Sequence, residues 1–211
     1  MTEPLLLILA WLGFFVLHSW FASHRFKAWF RRRLPGLWPR YRLLYNLVSA
    51  LLVAVPLGIA LLRPSPWLWR WTGPGWWLAN GLAALAVLGF LYSTRYYDGM
   101  AFLGLRRDTA GHIGSADEPF VISPLHRWVR HPWYFFGLIL IWTRDMNLYW
   151  FITCLLATAY FVVGSRLEER KFIAEYGPRY ARYRARVPGL MPLPWRHLSR
   201  AEAEALMRGD G

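Results

Sequence analysis

Two stretches of the chain hold the residue types that do chemistry. The first runs from Ser123 to Gly137 and contains His126, Arg130, His131, Pro132, Trp133 and Tyr134. Proline suits the first position of a helix, where its missing N–H costs nothing. Arg130 and His131 would then stand just ahead of a helix start. Free backbone N–H groups there, together with the Arg130 cation, make a site for an anion such as a carboxylate or phosphate. Trp133 and Tyr134 add aromatic faces beside it. The same residues equally suit a basic anchor at a membrane edge with interfacial aromatics, and this stretch by itself leaves both readings open.

The second stretch runs from Arg166 to Pro188 and opens with the acid pair Glu168 and Glu169. A carboxylate at that point can accept from ribose hydroxyls or hold a cationic ligand. A salt-bridged amphipathic helix lying on a membrane is the competing reading. Gly177 and Pro178 break the segment, because glycine suits a helix end and proline a new start. One helix is expected to reach Tyr176 and a second to end near Val187. Tyr180 and Tyr183 then share one face of the second helix.

The elements that must position these groups are apolar and long. Apolar residues make up 56 % of the 211 residues and charged ones 18 %, against about a quarter charged in globular domains. Pro4 to Ser23, Leu43 to Leu62, Trp71 to Thr94, Pro132 to Thr143 and Met146 to Ser165 carry no formal charge. A spanning helix needs roughly 20 apolar residues, which all but the run from Pro132 provide. Arg144, Asp145 and Asn147 read as a tight turn between the last two runs, so residues 132–165 are expected to form a helical hairpin. The expectation is an all-α polytopic protein, one membrane domain with helices over 4–23, 43–62, 74–94, 128–144 and 146–166. Residues 95–130 and 167–194 are the segments expected to build a site.

Charge placement orients that topology. The segment from His24 to Arg42 carries Arg25, Lys27, Arg31, Arg32, Arg33, Arg40 and Arg42 and no acid, whereas Arg63 to Gly75 carries only Arg63 and Arg70. The third connection and the tail are basic again. By the positive-inside rule the N-terminus lies outside, and the first loop, the third loop and the C-terminal tail are cytoplasmic. No positive charge precedes the first apolar run, which argues against a cleaved signal peptide. The net charge of +13 is then met by anionic lipid headgroups, and no nucleic-acid motif competes for it.

Remaining polar residues receive simpler readings. His18 and Asn46 lie at membrane depth, where polar groups are costly. They could line an acceptor cavity or bond between helices. Asp98 reads as a cap or turn residue. Asp108, Gly111 and Gly114 mark a long inner loop, too long for a simple turn. His24, His112 and His197 show no metal-ligand spacing, so no metal is expected. Cys154 cannot pair and reads as core or lipid-facing filler. The tail after Trp195 reads as a short surface helix or a frayed end.

Taken together, the two stretches form a longer pattern: Arg130, His131, Pro132 and Tyr134; a hairpin; Glu168 and Glu169; then Gly177, Tyr180, Tyr183, Val187, Pro188 and Pro192. This order and spacing resembles the integral-membrane methyltransferases typified by isoprenylcysteine carboxyl methyltransferase. Phospholipid methyltransferases and the bacterial methanethiol S-methyltransferase-like branch look similar. The resemblance covers roughly residues 118–192. It implies a pocket for S-adenosyl-L-methionine at the cytoplasmic edge of a bacterial inner membrane, lined by His131 to Tyr134. Phe120 and Val121 match a strand-like segment flanking the cofactor, and Glu168 matches the acid that holds it. His126 stands where that family usually has tyrosine. Arg166, two residues before Glu168, is a candidate to contact an acceptor, and Glu169 or His126 a candidate base. The implied acceptor is a small thiol or a lipophilic molecule resembling an isoprenylcysteine or a phospholipid. A sterol-reductase-like protein binding NADPH at Arg130 and His131, and a non-catalytic accessory membrane protein, are the alternatives.

Overall fold

A computed structural model of the chain describes residues 2–105 and 120–209. The readings of Asp108, Gly111, Gly114 and His112, and the middle of the segment 95–130, lie outside the described residues. The chain runs α1 (Thr2–Ala22), α2 (His24–Arg33), α3 (Tyr41–Leu62), β1 (Trp67–Trp69), α4 (Gly73–Thr94), α5 (Gly99–Leu103), α6 (Pro132–Trp142), β2 (Met146–Asn147), α7 (Leu148–Tyr176), α8 (Pro178–Arg186) and α9 (Arg200–Arg208). Among the described residues α1, α3, α4 and α7 are long and apolar enough to cross a membrane, which makes this an integral membrane protein. The fifth apolar helix, α6, has 11 residues. At 1.5 Å per residue it covers about 16 Å of a hydrocarbon core about 30 Å thick, so the span expected over 128–144 is shorter than a full crossing.

The chain divides into two compact units. The first comprises the described residues of 2–70, 97–105 and 145–157. There α1 packs on α3 around Leu7, Trp11, Ala60 and Tyr149. Trp11 donates its indole N–H to Thr153 Oγ1 at 3.0 Å, both groups buried. His18 bonds Ser49 Oγ at 3.1 Å and Tyr45 Oη at 2.9 Å, and Asn46 donates to the Phe102 carbonyl at 3.0 Å. Both intramembrane polar residues thus bond across elements. Asp98 caps α5, accepting from the Ala101 N–H at 3.1 Å. The segment after α1 is helical: Ser23 caps α2 through the Phe26 N–H, and a 3-10 turn over Pro35–Arg40 leads into α3.

One expectation of the hairpin is corrected here. Asn147, expected in a tight turn, and Met146, expected to start the last membrane helix, form a short strand that pairs antiparallel with Trp67 to Trp69. Asn147 side-chain oxygen then accepts from the Trp150 N–H at 2.8 Å and starts α7. The fold is therefore helical with one small ribbon. The ribbon escaped the sequence reading because its strands are two and three residues long, too short for a period to register.

The second unit comprises the described residues of 71–96, 120–144 and 158–209. Its membrane part is α4 packed on α6. Ala79, Ala83, Ala86 and Ser93 are the buried residues of α4, a small-residue face that lets helices approach closely. Gly89 on the same helix lies against the Phe136 ring. Beyond the apolar part of α7, Gly177 turns the chain with φ of 57° and Pro178 starts α8. Tyr180, Tyr183, Val187, Ile122, Leu198 and Ala203 form a buried cluster there. The tail is docked rather than frayed. Ser199 and Glu202 form a capping box for α9, and Ala203, Leu206 and Met207 pack on the tyrosine cluster.

Candidate active site

The site lies wholly in the second unit, where the start of α6 meets the end of the long helix α7 and the helix α8. His131 is the N-cap of α6 and Pro132 its first residue, both buried. Three residues later Tyr134 lies on the same face as His131. Their rings stack with centroids 5.4 Å apart and planes at 12°. Tyr134 stacks in turn on Phe161 of α7, at 4.7 Å and 5°. Phe161, Gly164 and Glu168 follow one face of α7 at helical spacing. A Cβ at Gly164 would sit 3.7 Å from the Tyr134 oxygen, in ordinary van der Waals contact. Tyr134 donates its hydroxyl to Glu168 Oε1 at 2.7 Å.

The adjacent acid behaves differently. Consecutive helical residues point about 100° apart, and Glu169 turns inward, its side chain 6 % exposed against 44 % for Glu168. Glu169 Oε1 accepts from Arg130 Nε at 2.8 Å, Arg130 Nη2 at 2.7 Å and His131 Nε2 at 3.1 Å. Its other oxygen, Oε2, lies 3.2 Å from Arg184 Nε. His131 bridges the acids, with Nδ1 3.4 Å from Glu168 Oε2. Carboxylates only accept, so an imidazole bonding both needs both N–H groups. Burial opposes charge on His131, but its bonds to Glu168 and Glu169 and their charges outweigh burial and raise its pKa.

Arg130 is the keystone of the local chain path. Its guanidinium also donates from Nη1 to the carbonyls of Arg184, at 2.9 Å, and Val187. Its backbone N–H donates to the Pro188 carbonyl at 2.9 Å, and that of His131 to the Gly189 carbonyl at 3.0 Å. The segment ahead of α6 is thereby laced to the segment after α8. Gly189 closes over the ion pair: a Cβ there would lie 3.2 Å from Arg130 Nη2. The anion site expected at Arg130 and the preceding N–H groups is thus filled by the protein's own Glu169 and carbonyls.

The remaining candidates fall into two sets. His126 is half-buried and bonds Ser123 Oγ through Nδ1 at 2.7 Å; desolvation, then the nearby His131 charge, pushes its pKa down to about 4. Tyr183 donates to the His126 carbonyl at 2.7 Å, and Tyr180 and Tyr183 support the site from within the core. Phe120 meets Tyr176, Tyr180 and Tyr183 edge-on or tilted, while Val121 is exposed and the pair forms no strand. Trp133 turns to α4, donating to Ser93 Oγ at 2.6 Å and tilting on Phe90. Arg166 is exposed. The arginines that reach the acids are Arg130 and Arg184, from elements 39 and 15 positions away in sequence from Glu169. Phe161, Gly164, Arg184 and Gly189 were not read from sequence. For Phe161 and Gly164 a signal existed: they lie seven and four residues before Glu168, on the same helical face.

Among the described residues no cluster of His, Cys, Asp or Glu could hold a metal ion. No family profile matches the chain, and no solved structure matches it significantly. Curated relatives do. Methanethiol S-methyltransferase 2 of Bradyrhizobium diazoefficiens is 33 % identical over 182 residues, covering 85 % of this chain and 69 % of its own length. Methanethiol S-methyltransferase of Crocosphaera subtropica is 30 % identical over 203 residues, 91 % of this chain and 76 % of the relative. That of Pseudomonas deceptionensis is 27 % identical over 191 residues, with 85 % and 69 % covered. With such identity over most of its length, the chain belongs to the methanethiol S-methyltransferase family of membrane methyltransferases.

Proposed function

We propose that this protein transfers a methyl group from S-adenosyl-L-methionine to a small thiol at the membrane edge. The observation that carries the reading is the pairing of a half-exposed carboxylate, Glu168, with the stacked faces of Tyr134 and Phe161. A methyl donor of this kind bears a sulfonium and an α-ammonium. A ring face not covered by that stacking attracts the first by cation–π interaction, and a carboxylate with an accessible oxygen takes the second. The residues present therefore fit the donor. When bound, it supplies an electrophilic methyl carbon.

The chain's own groups then have separable tasks. Glu168 holds and orients, because Tyr134 fixes one of its oxygens and leaves the carboxylate half open to solvent. Glu169, expected as a catalytic acid or base, is a positioning residue in this arrangement. Its oxygens accept from Arg130, His131 and Arg184, which leaves it little capacity to take another proton. His126, half-buried and held neutral near pH 7, is likewise a poor proton acceptor. No base is required. A thiol gives its proton to water on ionising. Its sulfur forms the new S–C bond as the donor's S–CH₃ bond breaks, and the electron pair stays with the donor sulfur. Placement and water exclusion supply most of the acceleration.

The basic first loop and tail favour a site on the cytoplasmic side of an inner membrane, where the soluble donor is available. A thiol soluble in lipid reaches it between helices. The NADPH reading loses its support, since Arg130 is occupied by Glu169. Calorimetry on the purified protein tests the proposal, using S-adenosyl-L-methionine and NADPH in turn, followed by capture of the volatile thioether from methanethiol and radiolabelled donor. Binding of the donor and labelled dimethyl sulfide are expected. Binding of NADPH alone, or of neither, overturns it.

A further inference from the structure

Arg184 was not among the residues read from sequence, and its setting is unusual for a surface arginine. It lies on α8, one turn after the buried Tyr180. Its Nε is 3.2 Å from Glu169 Oε2, yet its side chain is 51 % exposed while Glu169 is 6 % exposed. One edge of the guanidinium is thus pinned to a buried anion and the other faces out. Among the described residues its terminal nitrogens have no second partner. The backbone is fixed as well, because the Arg184 carbonyl accepts from Arg130 Nη1 at 2.9 Å. A guanidinium held in this way keeps a planar fork ready for a carboxylate.

The neighbouring charge is complementary. Glu168, next in the chain to the anion that pins Arg184, keeps its carboxylate half exposed. One chain of contacts links them: Arg184 Nε lies 3.2 Å from Glu169 Oε2, His131 Nε2 lies 3.1 Å from Glu169 Oε1, and His131 Nδ1 lies 3.4 Å from Glu168 Oε2. An exposed cation and an exposed anion so arranged match an α-amino acid, whose ammonium and carboxylate sit on one carbon.

We infer that Arg184 binds the α-carboxylate of the methyl donor while Glu168 takes its α-ammonium, the two forming a clamp for the amino-acid end of the ligand. This rests on the donor reading above and adds to it a binding residue outside the sequence pattern. The clamp explains why a buried acid, Glu169, carries two arginines: one locks the chain and the other is aimed outward.

The test compares two ligands on the purified full-length protein by calorimetry. One is S-adenosyl-L-homocysteine, which has the same amino-acid end and cannot react. The other is its analogue lacking the α-carboxylate. In the unaltered protein, deleting the carboxylate is expected to weaken binding about tenfold or more, the scale of a charged hydrogen-bonded pair. In Arg184→Gln the two ligands should bind alike, and Arg184→Lys should restore part of the preference. Thermal unfolding of each variant shows whether it is folded. Glu169 keeps Arg130 and His131 in both, so folding is expected to persist. If Arg184→Gln weakens both ligands by the same factor, the arginine merely props Glu169 and the inference is overturned. Equal binding of both ligands by the unaltered protein also overturns it, leaving the donor reading intact. Binding of neither overturns the donor reading itself, and this clamp with it.

Discussion

Arg130 grips a single oxygen of Glu169 with two nitrogens, Nε at 2.8 Å and Nη2 at 2.7 Å. Both side chains are largely buried, at 11 % and 6 % exposure. Removing one partner of such a pair strands the other charge away from water. Glu169→Ala is therefore expected to lower stability by about 3–5 kcal/mol. The arginine would lose its acceptor, and the carbonyls of Arg184 and Val187 cannot neutralise it. Thermal or urea unfolding in detergent measures this. A loss under about 1 kcal/mol, the range of a surface pair, would show that Glu169 is not the anchor described.

Tyr134→Phe separates binding from folding. The ring stays stacked on His131 and Phe161, whereas the hydroxyl bond to Glu168 disappears. A hydrogen bond to a charged group contributes about 1.5–3 kcal/mol, so donor affinity should fall about tenfold or more. Glu168 is half exposed, so water replaces the lost donor and the unfolding midpoint should move little. Calorimetry with S-adenosyl-L-homocysteine, paired with a melting curve, checks both halves. Unchanged affinity would remove Glu168 and Tyr134 from the binding surface.

Much of this arrangement was legible in the sequence because it is local. Uncharged runs predicted the long helices, Gly177 and Pro178 predicted the break before α8, and Pro132 marked the start of α6. The convergence of Arg130, His131 and Tyr134 on Glu168 and Glu169 was expected from the resemblance that their order and spacing carry. What stayed hidden depends on rotation and distance. Nothing in two adjacent glutamates says which one turns inward, so Glu168 was read as the acid that holds the cofactor and Glu169 as a candidate base. Arg166 was preferred to Arg184 for its nearness in sequence, although the chain reversal at Gly177 is what returns α8 to the acids. Free N–H groups before Pro132 were expected to catch an anion; the carbonyls of Pro188 and Gly189 claim them through contacts almost sixty residues apart.

His131 and His126 should act on stability in opposite senses. His131 has a raised pKa in the folded protein: burial alone lowers it, but the bonds to Glu168 and Glu169 prevail. Its contribution is complete below the unfolded value of 6.5 and fades as pH rises through the raised folded value. His126 is lowered to about 4 from 6.5 by burial and by His131. As pH falls from about 6.5 to 4, the unfolded chain takes up a proton there that the folded chain refuses, so stability drops. Melting temperatures followed from pH 4 to pH 9, as rough bounds of the titration range, test this. Relative to the unaltered protein, His126→Asn should flatten the acid limb, and His131→Asn should flatten the decline above neutrality. Parallel curves for all three proteins would show that neither ring titrates as described.

Two glycines on α4 offer a comparison within one helix. At Gly81 an added Cβ would meet nothing within 4 Å, whereas at Gly89 it would land in the ring of Phe136. Phe136 is buried, 8 % exposed, in the face where α6 packs on α4. It cannot swing aside without opening that contact. Gly81→Ala should be neutral or stabilising by about 0.5–1 kcal/mol, the gain from restricting the backbone in a helix. Gly89→Ala should cost about 1–3 kcal/mol through overpacking. The effect should also reach the site, because α6 carries Tyr134 two residues before Phe136 and any displacement of the helix start loosens the bond to Glu168. A weaker affinity for S-adenosyl-L-homocysteine in Gly89→Ala, with Gly81→Ala unchanged, is the expected pattern. Equal stability of the two variants would mean that α4 and α6 do not pack at Gly89.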